Sequence, residues 1–193
     1  MILEERRSGA GGAPVVRRSV TAPETISGYA AVFNQETIIA GLFRERIAPG
    51  AFAEAIRHDD IRAAFNHSAA EILGRTRAGT LQLYEDAFGL HYSVTINQND
   101  PMAVGVAARV ARGDVSGSSF AFGILNAADE IWTPAPRGGL PLRTLLRIKL
   151  IDVGPVAYPA YGAATATARG RADHMGAARL QVAKARIAIA RAR

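Results

Sequence analysis

Between Ile26 and Val153 apolar residues recur at every second position in short runs, each ended by a turn signal, and a chain patterned this way folds mainly into short strands. Ile26 to Phe33 reads as a strand with Tyr29, Ala31 and Phe33 on one side. Pro49-Gly50 leads into a short helix from Ala51 to about Arg57, with Phe52 and Ile56 on one face. Ile61, Ala63, Phe65 and His67 alternate with Arg62, Ala64 and Asn66, which reads as a strand ending at a histidine. Leu81 and Leu83 mark a further strand and Leu90, Tyr92, Val94 and Ile96 another, joined by the turn Glu85-Asp86-Ala87-Phe88-Gly89. One amphipathic helix is punctuated at both ends: Asn99-Asp100-Pro101 supplies an N-cap and a first-turn proline, Met102, Val106 and Val110 form a stripe, and Gly113 is the stop. Ser118 to Leu125 and Leu145 to Val153 read as two more strands, separated by a Pro/Gly-rich loop from Thr133 to Pro141. The sum is a mostly antiparallel sheet or barrel with two or three helices and no internal repeat.

A length of 193 residues suits one such domain with appendages. The segment 1–24 contains Ser8-Gly9-Ala10-Gly11-Gly12-Ala13-Pro14 and few large apolar residues, so it is expected to be mobile or to lie on the surface. The domain is then 25–161, and 162–193 is a flexible linker with a basic tail. Net charge is +6, but residues 1–168 hold 16 Lys+Arg against 16 Asp+Glu, and residues 169–193 hold the other 7 against the single Asp173. The folded part is neutral, and the excess belongs to the tail. As a helix that tail would put Leu180 and Ile187 on one side and Val182 and Ile189 on the other, with basic residues beside each pair, so it offers no single apolar stripe for docking. It reads as an exposed arm for an acidic partner, with a solubilising end as the plainer alternative.

The absence of cysteine removes disulfides, thiolate metal sites and cysteine nucleophiles together. The chain opens Met1-Ile2-Leu3-Glu4-Glu5, acidic where a signal peptide is basic, and no apolar run reaches membrane-spanning length. The expectation is a soluble intracellular protein.

Three features bear on chemistry. His67 closes an apolar-faced strand in Phe65-Asn66-His67-Ser68, where an imidazole can act as a general base or be a hydrogen-bonded structural group. Ser119 lies in Gly117-Ser118-Ser119-Phe120-Ala121-Phe122-Gly123. Alternation puts Ser118 with Phe120 and Phe122, and Ser119 with Ala121 and Gly123, so Ser119 has the clearance that a nucleophile needs; an ordinary Ser-rich turn is the alternative. Asp152 ends the row Leu146, Ile148 and Leu150, where a buried carboxylate needs a partner such as a histidine N–H, and an exposed strand end explains it equally well. His91 competes for the third place, but it sits with Ser93 and Thr95 opposite the apolar row and reads as solvent-facing. His58-Asp59-Asp60 with His67 matches no metal-ligand spacing, and neither a Walker loop nor a Gly-x-Gly-x-x-Gly stretch follows a strand.

Taken together, the residues resemble the prohead maturation serine proteases of tailed bacteriophages, which are similar in fold to the herpesvirus capsid assembly protease. The likeness runs from Gly28 to Tyr161 through Gly28-Tyr29-Ala30-Ala31-Val32-Phe33, Glu45-Arg46-Ile47-Ala48-Pro49-Gly50-Ala51-Phe52, Asn66-His67, Leu73-Gly74-Arg75-Thr76, Gly79-Thr80-Leu81 and Asp86-Ala87-Phe88-Gly89-Leu90. Ser119-Phe120-Ala121-Phe122 and Asp152-Val153 to Val156-Ala157-Tyr158-Pro159-Ala160-Tyr161 complete the set.

The resemblance implies a mostly β fold with flanking helices, a herpesvirus-protease-like closed β-barrel, with His67 as base, Ser119 as nucleophile and Asp152 as the orienting acid. Asp152-Val153-Gly154 departs from the family's usual Glu before Val-Ser at both ends. The resemblance also implies a protease without cofactor or metal that cuts the scaffolding segment of the major capsid protein, and itself, inside the assembling procapsid in the host cytoplasm. A homo-oligomer is compatible with it, and neither membrane nor nucleic acid is required. The reading from a different class is a non-catalytic capsid-assembly or nucleic-acid-binding protein with a basic C-terminal arm.

Overall fold

The computed structural model describes residues 4–9, 13–18, 24–135 and 139–158. The linker and the basic tail lie outside the described residues, as does part of the Thr133 to Pro141 loop. In chain order the first strands are β1 (Glu5–Gly9), β2 (Val15–Arg17), β3 (Thr25–Val32), β4 (Thr37–Ile39) and β5 (Phe43–Ile47). The short helix α1 (Ala53–His58) precedes β6 (Arg62–Ala64), a 3-10 turn (Phe65–His67), β7 (Ile72–Arg75), β8 (Leu81–Glu85) and β9 (Gly89–Thr95). Helix α2 (Pro101–Arg112) leads into β10 (Gly117–Gly123), and a second 3-10 turn (Ala127–Asp129) into β11 (Glu130–Thr133), β12 (Leu142–Leu145) and β13 (Lys149–Val156).

These strands form three sheets, ordered β1-β10-β13-β6-β7, β11-β12-β5-β4 and β2-β3-β9-β8. Most pairings are antiparallel; β12 with β5 and β13 with β6 are parallel. The fold is mostly β with two helices, as the alternation predicts, and among the described residues no ladder closes the sheets into a barrel. All three sheets give side chains to one core, with Phe120 and Leu150 from the first, Ile47 and Leu145 from the second and Ile26 and Tyr92 from the third. Phe52, just before α1, packs edge-on against Phe120 with ring centroids 5.5 Å apart. Each such side chain removed from water contributes about 1.5–3 kcal/mol.

Helix α2 follows its local signals. The Asp100 side chain accepts from the Met102 amide at 2.9 Å, Pro101 opens the first turn, and Gly113 ends the helix in the left-handed region at φ 88°. Its buried face is Ala103, Val106, Ala107 and Val110, with Met102 at the margin.

Two strands are shorter than the alternation implies. The run from Ile61 stops at Ala64, because Asn66 and His67 both take positive φ, 52° and 57°. The run from Leu145 to Val153 is broken after Leu145: the amides of Leu146 and Arg147 turn to the Asp129 carbonyl, at 2.8 and 3.1 Å, and that of Ile148 to the Ala51 carbonyl. These bonds carry the chain out of its pairing with β5 and into the sheet of β10.

Two stretches before residue 25 are strands, an exposed one at β2 and a buried one at β1, where Glu5 and Arg7 are covered. β2 pairs with β3, and β1 pairs with β10 along its whole length. What seats β1 is charge. Arg143, which is 0% exposed, donates to Glu5 at 2.7 and 2.9 Å, to Glu45 at 2.9 Å and to Glu130 at 2.6 Å, and Arg7 donates to Glu45 at 2.5 and 3.1 Å. Burial works against an ionised Glu5, but Arg143 and Arg7 outweigh it and hold its pKa below the ordinary value.

Removing one member of such a cluster is costly. In the chain that retains β1, Arg143→Met leaves three carboxylates against the single guanidinium of Arg7, and should lower stability by about 3–5 kcal/mol and the melting temperature by about 10 °C, read by thermal denaturation. Because Glu5 titrates lower in the folded state, its contribution is complete above its unfolded value of 4.5 and is lost as pH falls through the lower folded value, so melts taken below pH 4.5 should narrow the gap between variant and wild type.

Candidate active site

β10 is buried along its whole length and lies between β1 and β13. Its alternation sends two neighbouring serines to opposite faces. Ser118 turns to the core, where its hydroxyl meets the Tyr92 hydroxyl at 3.0 Å. Burial raises the Tyr92 phenol well above its ordinary pKa although the Ser118 contact pulls the other way, so Tyr92 stays neutral. Ser119 turns to the other face.

On the neighbouring strand Ser119 stands opposite Gly154 and Ala121 opposite Asp152. A register shift follows, because Phe122 pairs with Leu150 rather than with Ile151. Asp152 thus lies on the strand next to Ser119, two residues along. The third side chain arrives from β6, which runs parallel to β13 with Ala63 beside Val153. At the end of β6 the positive φ values of Asn66 and His67 reverse the chain, and the Asn66 side-chain oxygen accepts from the Ala157 amide at 2.8 Å, tying the turn to the end of β13. Asparagine is among the residues that tolerate this region. Gly154 permits the close approach: a Cβ there would lie 2.3 Å from the Ala64 carbonyl oxygen.

The result is a continuous hydrogen-bonded row. His67 Nδ1 is 2.5 Å from Asp152 Oδ1, and His67 Nε2 is 2.7 Å from Ser119 Oγ, with the imidazole only 8% exposed. An Nδ1–H donated to the carboxylate leaves Nε2 free to accept the serine proton. The structure therefore brings together all three residues singled out by sequence.

His91 stands elsewhere. It is half-buried rather than solvent-facing, stacked on Tyr84 at 4.6 Å and edge-on to Tyr29 at 5.1 Å, because the face it shares with Ser93 and Thr95 is partly covered by these two rings. Burial lowers its pKa, and among the described residues it bonds to neither His67 nor Ser119. Tyr29 in turn donates to Asp86 at 2.5 Å, which pushes the phenol up to about 12. No group of three or more His, Asp or Glu side chains suited to a metal occurs among the described residues.

Sequence reasoning missed one neighbour of the site. Ser119 Oγ lies 2.8 Å from the carbonyl oxygen of Arg7 on β1. Main-chain atoms leave no composition signal, and the Ser-Gly-rich stretch after Arg7 points away from an ordered strand.

A family profile described as caudovirus prohead serine protease matches residues 14–177. Among solved structures, the bacteriophage T4 capsid assembly protease, gp21, is similar over 82% of this chain and 98% of its own, with 10% identity and a TM-score of 0.49. No curated protein matches. Since the profile takes in β2 through β13, and with them His67, Ser119 and Asp152, the chain belongs to the caudovirus prohead serine protease family.

Proposed function

We propose that this protein is a serine endopeptidase in which Ser119 is the nucleophile, His67 the general base and Asp152 the group that orients and balances the imidazole. The observation that carries this reading is the hydrogen-bonded row Asp152–His67–Ser119. A serine hydroxyl is a weak nucleophile until a base removes its proton. His67 Nε2 takes that proton as Oγ attacks a peptide carbonyl, and later returns it to the leaving amine. Asp152 holds the tautomer with hydrogen on Nδ1 and stabilises the imidazolium. Backbone amides facing the developing oxyanion add about 3–4 kcal/mol per donor.

The substrates under this reading are the scaffolding segment of the major capsid protein, a separate scaffold where one exists, and the protease itself, cut inside the assembling procapsid. The herpesvirus-protease-like barrel belongs to the same reading, with the three sheets around their common core as its wall. The basic tail, outside the described residues, is the arm that recruits the enzyme to an acidic scaffold segment. Truncation after Ala168 should leave cleavage of a capsid-derived peptide intact but reduce incorporation into procapsids; equal incorporation sinks the recruitment role.

Ser119→Ala should lose peptide cleavage by several orders of magnitude while Ser118→Ala keeps most of it, measured as kcat/KM on a capsid-derived peptide. Asp152→Asn should fold and lose about 10⁴-fold in kcat, since an amide supports the wrong tautomer and cannot balance the imidazolium. Retained activity in Asp152→Asn would remove Asp152 from the orienting role.

Gly154→Ala forces the Ala64 carbonyl aside and displaces the turn that carries His67. Activity should fall about 10²-fold, the effect of roughly 1 Å of misplacement, with the circular dichroism spectrum unchanged.

A further inference from the structure

We infer that β1 occupies this protein's own substrate groove, with the Arg7–Ser8 peptide bond at the nucleophile, and that the groove selects a basic residue at the cut preceded two positions earlier by an acidic one. The inference rests on the protease reading above and adds to it the bound peptide, the bond and the specificity.

Three observations carry it. The first is strand addition. β1 is the outermost strand of its sheet, so without it β10 is an edge, and an extended peptide lies antiparallel on that edge with Ser8 opposite Ser119 and Gly9 opposite Ser118. The second is contact with the carbonyl group of that bond. Ser119 Oγ is within 2.8 Å of the Arg7 carbonyl oxygen and 2.7 Å of His67 Nε2. A hydroxyl has one proton, which at these positions is donated to the Arg7 carbonyl oxygen; attack requires it to turn to Nε2 as Oγ moves from that oxygen toward the carbonyl carbon.

The third observation is the side-chain cradle. Alternate residues Glu5 and Arg7 enter one buried pocket, where Arg7 meets Glu45 and Glu5 meets Arg143 through two nitrogens. Arg143 also holds Glu45 and Glu130, so the pocket keeps its own internal pairs when β1 leaves. Its three fixed groups then sum to one negative charge, which favours an incoming basic side chain beside Glu45 and leaves Arg143 to receive an acidic one. Arg6, between the two, pairs outside with exposed Glu4.

The chemistry balances with water as the only co-reactant. Ser119 Oγ bonds to the Arg7 carbonyl carbon as its proton passes to His67 Nε2. The Arg7–Ser8 C–N bond breaks as that proton moves to the Ser8 nitrogen. Water then hydrolyses the ester, leaving an Arg7 carboxylate and a Ser8 amine.

The test is intact-mass and N-terminal analysis of the purified full-length chain, wild type beside Ser119→Ala. It is run together with cleavage of a synthetic peptide of residues 1–12 and fluorophosphonate labelling of Ser119. The expected result is a wild-type chain beginning at Ser8, an intact Ser119→Ala chain, and a peptide cut after Arg7. E5K or R7E in the peptide should each lower kcat/KM at least 10-fold. A wild-type enzyme that takes the label and cuts a capsid-derived peptide, yet keeps its residues before Ser8 and spares its own peptide, overturns the inference and leaves the protease reading standing. Absence of both labelling and cleavage, in wild type and in Arg7→Ala, whose hold on Glu45 is gone, overturns the protease reading and this inference with it.

Discussion

The pairing of β13 with β10 on one side and β6 on the other sets the geometry of the whole site. Antiparallel pairing puts Ser119 beside Gly154 and Ala121 beside Asp152, so serine and carboxylate sit on neighbouring strands without any loop to position them. Parallel pairing with β6 brings His67 to the same end of β13. Because β13 touches both partners through backbone hydrogen bonds, an error in its register would flip Asp152 to the opposite face and remove the acid from reach of His67.

The surrounding charge follows a different logic. A buried guanidinium among three carboxylates is poor value as a source of stability, since desolvation offsets most of the attraction. It is better suited to fixing position. Arg143 ties β12 to β5, β11 and β1 at once, and ion pairs with this many partners allow few alternative seatings of the N-terminal strand. A hydrophobic contact in the same place would hold β1 less specifically, because apolar burial is indifferent to a shift of two residues along the strand.

What could be read from sequence was local. Helix α2 carries its start, stripe and stop within its own residues, and the turn from Glu85 to Gly89 joins strands that are neighbours in both sequence and space. Ser119 was separable from Ser118 because period-two alternation is a property of the strand itself. The misread ends have distant causes. The strand toward His67 is cut short by a turn secured at Ala157, and the Leu145–Val153 run is broken by carbonyls at Asp129 and Ala51. β1 was hidden for the same reason. Glu5 and Arg7 are unremarkable in a polar N-terminal stretch until Arg143 and Glu45 are brought to them, 138 and 38 residues away.

Asp152 and Gly154, the positions where the resemblance leads one to expect Glu and Ser, are linked through the packing of β13 on β6. An aspartate is one methylene shorter than a glutamate, so its main chain must come closer to the base if the carboxylate is to reach Nδ1. Here it does reach, at 2.5 Å. The residue two positions on is the one whose side chain would oppose that approach, since any Cβ at Gly154 would collide with the Ala64 carbonyl just before the His67 turn. Glycine removes the obstacle, and the shorter acid makes use of the closer strand. A serine at 154 would push β13 and β6 apart and lengthen the reach from Asp152 to His67.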